Sequence, residues 1–310
     1  MIRFLRTPRA ARVPLCGLAV LLAVGIGSQT EAATLGLSMP TLDPFRIRLR
    51  DAIQAKVDAT PGTTLRVVTA PAGDVGRQND DIAQLIHAGV DGLIVIPEDA
   101  SKVSGFTSPA RNADIPVVLI NNGPQADWLP GQLVMAIPNE LVAGRLQMHI
   151  LAARMGGHGN LAILSGPSSH SAAILRTKGV EEVLQRFPDI HVVERGEADW
   201  SRDKAADLMA GWIRSGVRID AVAANNDEMA LGAYAGWVAA NSQGTPPLIA
   251  GVDASPDGLA ALAAHHLVVT VKQDPVQQGD EAVADLFKLI AHQPVPQYDW
   301  ATFQLVSTAP

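Results

Sequence analysis

Short apolar runs alternate with segments of helical period along most of this chain, and that alternation limits the fold more than any other feature. Residues 34–38, 65–69, 92–96, 116–120, 160–164, 191–194, 221–224, 248–252 and 268–272 read as strands. Between them lie helical stretches at 44–59, 79–88, 101–112, 140–155, 171–186, 202–215, 227–241, 256–264 and 277–291. In the first of these, Phe45, Leu49, Ile53 and Val57 recur on one helical face. Gly92-Leu93-Ile94-Val95-Ile96 has the composition of a strand covered on both sides. Strands alternating with helices build βαβ units and parallel sheets. Nine strands are more than one such sheet usually takes, so the pattern predicts an α/β chain with two doubly wound sheets, divided near Pro138-Asn139.

The first residues carry a different signal. Arg3, Arg6, Arg9 and Arg12 precede an apolar run of twelve residues, 15–26, and a small polar stretch ending at Ala33. This is the pattern of a cleaved export signal over residues 1–32, with cleavage near Ala32 or Ala33, and the run is too short to span a bilayer. Cys16, the one cysteine, would leave with it, so no disulfide or thiol chemistry is expected. The whole chain carries 24 basic and 31 acidic residues; losing four arginines and Glu31 leaves 20 and 30, a net of −10. Such an acidic exported chain is a poor partner for nucleic acid or anionic lipid. The 47% hydrophobic content fits a globular α/β chain.

The stretch Ala224-Asn225-Asn226-Asp227-Glu228-Met229 stands where a strand ends and a helix begins, the edge at which open α/β sheets bind ligands. Five further pieces belong with it. They are Thr41-Leu42-Asp43-Pro44-Phe45, Gly92-Leu93-Ile94-Val95-Ile96-Pro97, Ile115-Pro116-Val117-Val118, Ser171-Ala172-Ala173 with Arg176 and Gly179, and Gly251-Val252-Asp253 with Pro256-Asp257-Gly258. In order and spacing, over nearly all of the chain from Thr34, they resemble the periplasmic sugar-binding proteins of the ribose-binding type, whose core is shared by LacI-type repressors. The resemblance implies two lobes with three crossings, near Pro138-Asn139, Asp274 and Thr302. The N-lobe would be 33–138 plus 274–302, and the C-lobe 139–273 plus 303–310. It implies a monomer in the periplasm that closes on a small molecule by hinge motion.

By the same resemblance Arg176, Trp200, Asn226, Asp253 and Gln273 line the C-lobe and hinge side of the cleft, and Phe45, Asn121 and Asn122 face them. Planar carboxylate, amide and guanidinium groups meet sugar hydroxyls two at a time, and aromatic rings cover C–H faces. Each residue also has a plainer reading. Asn226 suits a helix N-cap, Asp253 a turn, Phe45 the core, Arg176 a solvated helix face. The chain departs from the ribose pattern where Asn121-Asn122 replace an Asp-Arg pair, Arg46 a second stacking Phe, and Asp43 an amide. The expected ligand is therefore a neutral sugar or sugar alcohol other than ribose. The alternative is an acidic derivative held by Arg46 and Arg176, which Asp43 and Asp253 would oppose.

Other chemistries find little support. No His-x-x-x-His pair suggests zinc, and the Gly157-His158-Gly159-Asn160 stretch precedes a strand, so it does not cradle a dinucleotide. Ser169-His170-Ser171 are sequence neighbours, which rarely form a catalytic triad. No enzyme activity and no cofactor are expected. A DNA-reading helix-turn-helix would be needed for a repressor, and an export signal occupies that place. The remaining partners are an ABC importer permease, or a membrane sensor that reads the liganded protein. The loop 125–132, with Trp128, has no assigned role beyond a possible place on the cleft rim.

Overall fold

A computed structural model describes residues 32–41, 43–124, 126, 131–240 and 244–308. The expected export signal, apart from Ala32, lies outside these residues, as do Leu42 and most of the 125–132 loop with Trp128. The first half runs β1 (Thr34–Pro40), α1 (Pro44–Asp58), β2 (Thr64–Ala70), α2 (Val75–His87), β3 (Gly92–Val95), α3 (Ser104–Asn112), β4 (Val117–Ile120) and β5 (Leu133–Pro138). It continues with α4 (Glu140–Arg154), β6 (His158–Ser165), α5 (Ser171–Leu184), β7 (Asp189–Glu197), α6 (Arg202–Arg214), β8 (Ala221–Ala224), α7 (Asp227–Ala239), β9 (Leu248–Asp253), α8 (Pro256–Ala263) and β10 (Val269–Lys272). The chain ends with α9 (Pro275–Ile290), β11 (Tyr298–Ala301) and β12 (Gln304–Ser307).

These strands form two six-stranded sheets, ordered β11-β5-β4-β3-β1-β2 and β12-β10-β9-β8-β6-β7. Every pairing is parallel except that of β10 with β12. The chain passes from the first sheet to the second at Asn139, returns between Lys272 and Pro275, and passes again at Thr302-Phe303.

Alternation along each strand feeds two cores per sheet, because successive side chains point to opposite faces. Leu35, Leu37 and Met39 of β1 pack with α1 and α9 on one face; Leu93 and Val95 of β3 pack under α2 and α3 on the other. In the second sheet Ala162 and Leu164 face α6 and α7, while Leu161 and Ile163 face α4 and α5. Both faces are dry, which is why the central strands read as unbroken apolar runs.

Three strands differ from the sequence expectation. β5 (Leu133–Pro138) is buried throughout and is not among the expected strands. β11 and β12 have four residues each and stand at sheet edges, half exposed and without an apolar pattern. Helix α2 starts at Val75, ahead of residue 79, because Asp74 caps it by accepting the Arg77 N–H at 2.8 Å. The single helix expected over 101–112 is a 3₁₀ turn, Ala100–Lys102, followed by α3.

Candidate functional site

Each candidate side chain stands at or just past the carboxyl end of a parallel strand, where βα loops converge in doubly wound sheets. Asp43, Phe45 and Arg46 follow β1, and Asn121 follows β4. Trp200 follows β7, Asn226 follows β8, Asp253 ends β9, and Gln273 follows β10. Phe45 and Arg46 lie in the first turn of α1, and Arg176 reaches in from the second turn of α5. Together they border a cleft with about 320 Å3 of empty space. Nine of the ten sequence candidates line it, and His170 and Ala172 complete the wall.

The backbone around the cleft is strained. Asn121, Asp199, Trp200, Asp253 and Ala254 have φ of 64°, 51°, 63°, 117° and 48°. Left-handed backbone is costly for residues with a Cβ, and it clusters where the surroundings enforce a functional geometry. Gly166 leaves the room that the Trp200 indole fills: a Cβ there would stand 2.3 Å from Cζ2. Trp200 is therefore cleft wall as well as a ring packed on the second-sheet core.

Arg176 is the hub. Its Nε and one terminal nitrogen donate to Glu140 at 2.5 and 3.0 Å, its other terminal nitrogen donates to the Asn225 carbonyl at 2.7 Å, and Gln273 Oε1 accepts at 2.8 Å. Asp253 stands 3.8 Å away. The sequence reading set Arg176 against Asp253; its closer acid is Glu140, in the first turn of α4. An acid in a first helical turn reads as complement to the helix dipole, so nothing marked Glu140 as a partner. Burial acts against the guanidinium charge, but Glu140, Asp253 and Asp227 more than offset it, and the Arg176 pKa is raised. Burial also raises Glu140, against the pull of Arg176. Asp253 is pushed well above the carboxylate range, first by burial, then by its acidic neighbours Asp227 and Asp43, with Arg176 opposing.

Three buried donors on this wall have no partner: Arg46 Nε, Trp200 Nε1 and Gln273 Nε2. Two of these side chains spend their other polar atoms within the protein. Arg46 spends a terminal nitrogen on the Thr41 carbonyl at 3.0 Å, and its Nε lies 3.6 Å from Asp43, beyond hydrogen-bond range. Gln273 spends its oxygen on Arg176. Asn226 does two things: its Oδ1 caps α7 at 2.9 Å from the Met229 N–H, and the residue borders the cleft. Asp43 likewise caps α1 through the Arg46 N–H at 2.7 Å. Phe45 is both core and wall.

Asn122 corrects the sequence expectation. It is fully buried and does not line the cleft, because both ends of its amide are engaged elsewhere. Its Nδ2 donates to the Pro97 carbonyl at 2.8 Å. Its Oδ1 accepts from the Ser171 N–H at 3.0 Å and the Ser171 hydroxyl at 2.9 Å. It thus clasps the end of β4 to the start of α5. Among the described residues no group of three or more His, Cys, Asp or Glu is arranged to hold a metal, and no helix is long and apolar enough to cross a membrane.

Residues 35–294 match the profile of the family described as periplasmic binding protein domain. A putative rhizopine-binding protein of Rhizobium meliloti is 35% identical over 291 residues, covering 93% of this chain and 94% of that protein. A xylitol-binding protein of Mycolicibacterium smegmatis is 37% identical over 202 residues, 65% of this chain and 56% of that protein. An ABC transporter solute-binding protein of Bacillus halodurans, solved with bound myo-inositol, superposes with a TM-score of 0.82 at 30% identity, covering 90% of this chain and 96% of that one. The chain belongs to the periplasmic binding proteins, in the type I, ribose-binding-like group of sugar and polyol binders, a family of solute-binding proteins and not of enzymes.

Proposed function

We propose that this protein captures a neutral polyol in the cleft and delivers it to an ABC importer. A cyclitol of the inositol kind or a sugar alcohol fits better than ribose. The observation that carries the reading is the set of unpartnered donors, Arg46 Nε, Trp200 Nε1 and Gln273 Nε2, on the wall that also holds Asp43 and Asp253. A buried donor left unpaired costs about 1–3 kcal/mol, so three on one wall call for a ligand rich in oxygen acceptors. A hydroxyl can accept from such a donor and donate to a carboxylate at once. The relatives that bind xylitol and myo-inositol support a polyol. An acidic ligand is disfavoured because Arg176 is already matched by Glu140 and Arg46 faces Asp43.

The lobes in this reading are 33–138 plus 274–302 and 139–273 plus 303–310, closing about the three crossings, and the mature protein works in the periplasm after loss of residues 1–32. Thermal unfolding of residues 33–310 against myo-inositol, xylitol, D-ribose, D-fructose and a sugar acid tests it. The true ligand at a hundred times its Kd adds about 2.7 kcal/mol of stability. Stabilisation by myo-inositol or xylitol and not by ribose is expected; stabilisation by the acid alone overturns the neutral assignment.

A further inference from the structure

We propose that Asp285 and Asp299 share one proton, and that this bond fastens β11 to α9 as a pH-sensitive latch beside the third crossing. The inference is independent of which ligand the cleft takes.

Strand geometry brings the two acids together. Tyr298 and Trp300 stack on one another, with centroids 4.9 Å apart at 16°, so they share one face of β11. Tyr298 packs there against the core under α2 and α3. Asp299, between them in sequence, points the other way. Its register partner on β5 is Ala136, which belongs to the core beneath α1 and α9, so α9 covers this second face. On α9, Gln277, Glu281, Asp285 and Lys288 recur at spacings of three and four and form one stripe. Asp285, 1% exposed, meets Asp299 in hydrogen-bonding contact.

Donors are scarce along this seam. Lys288 Nζ donates to Asp285 Oδ1 at 2.7 Å, and Gln277 Nε2 donates to Glu281 Oε1 at 2.8 Å. Asp285 Oδ2 and Glu281 Oε2 are buried and have no donor among the described residues. Two carboxylates side by side with water excluded cannot both stay ionised; a proton held between them supplies the missing donor. One ammonium, Lys288, is thus set against three carboxylates, Glu281, Asp285 and Asp299. Asp274, at the second crossing, adds to the negative charge on Glu281 and is itself 2.9 Å from Lys272. Lys56 of α1 lies 3.6 Å from Asp280, and β5 brings only Ala136 opposite Asp299. Burial and then Asp285 hold the Asp299 carboxyl above its ordinary value, with Lys288 opposing. The stabilisation from a carboxyl raised in the native state is present in acid and is lost as pH rises through its native value. The latch is therefore shut in acid and opens as pH climbs above the ordinary carboxylate range.

Its place in the chain gives it reach. β11 is an edge strand held by a single ladder, to β5. Just past it, the Thr302 hydroxyl donates to Gln277 Oε1 at 3.4 Å, and the Phe303 ring centroid lies 6.0 Å from the Arg176 guanidinium. Release of β11 loosens the segment that feeds the third crossing and the ring set against the central arginine.

Amide hydrogen exchange of the unliganded protein across a pH series tests the latch. Protection factors, which remove the intrinsic pH dependence of exchange, are compared between β11 and the central strand β3, whose amides report global opening. From about pH 4.5 to about pH 7.5 the parent should lose about tenfold more protection in β11 than in β3. Asp299→Asn gives Asp285 a permanent N–H donor and should abolish that extra loss, leaving the variant better protected than the parent at neutral pH. Carboxyl 13C spectra of the parent should show the pair titrating in two steps split by more than about one pH unit, and those of the variant a single step. A β11 that tracks β3 at every pH in the parent, or an equal extra loss in parent and variant, overturns the latch. If Asp299→Asn does not fold, the parent's 13C titration decides, and two independent steps at the ordinary carboxylate value overturn the shared proton.

Discussion

Asp227 shows how a single buried acid links stability to pH. It lies in the first turn of α7, with one oxygen accepting from the Ser255 N–H and the other from the Thr270 hydroxyl, both at 2.7 Å. Burial pushes its pKa up to about 6, against the opposing effect of those hydrogen bonds. An acid raised in the native state binds its proton more tightly folded than unfolded. Its stabilisation is present below the ordinary carboxylate value and is lost as pH rises through 6. A rise of about two units corresponds to ~3 kcal/mol. Burial raises Glu140 and Asp253 in the same direction, so the useful quantity is the difference between parent and Asp227→Asn. Urea unfolding at steps from pH 4 to 7 should show the parent losing about 3 kcal/mol relative to the variant. A pH-independent difference would mean that Asp227 does not titrate in this window. Neither the burial nor the partners of Asp227 could be read from Asn226-Asp227-Glu228, which read as a helix start at a ligand-binding strand end.

At the scale of elements, α4 and α5 hold the central arginine. They pack so closely that a Cβ on Gly144 would stand 1.9 Å from the Arg176 carbonyl oxygen, which leaves glycine as the side chain that fits. That approach brings Glu140 and Arg176 together, both almost fully buried, across 36 residues of sequence. Removing one member of a buried ion pair costs about 3–5 kcal/mol, because the other charge is left without compensation. Glu140→Gln is therefore expected to lower the denaturant-unfolding free energy by that amount. Glu140→Leu with Arg176→Leu should recover most of the stability while abolishing polyol binding, since Arg176 is part of the proposed cleft. A double variant no more stable than Glu140→Gln would show that the pair supports the helix packing itself. The long, strongly patterned elements here were legible from sequence to within a few residues. The short edge strands were not, because a half-exposed strand of four residues needs no apolar face and so leaves no period to read.

At the scale of the whole molecule, the clasp from Asn122 to Ser171 joins the end of the first sheet to a helix of the second. In the proposed binding cycle it would form when the lobes close and exchange its partners for water when they open. Asn122→Ala should weaken every ligand by the same factor, about tenfold, mostly through faster dissociation, because it shifts the closed population and touches no ligand. Small-angle scattering should show the variant less compact than the parent at equal, subsaturating myo-inositol. A change in the ratio of affinities among ligands would instead return Asn122 to the cleft wall. The sequence by itself determined the α/β class, the alternation of strands and helices, and the chemical character of the residues at the strand ends, since periodicity and residue type are local properties. Its motifs also sufficed to identify the family. Tertiary structure alone decided that Asn122 turns away while Asn121 faces the cleft. It alone matched Arg176 to Glu140, brought His170 beside Trp200, and left three donors unpaired on one wall. These are facts of side-chain direction and of contact between distant segments, and they depend on how two sheets and their helices pack, which no run of neighbouring residues encodes.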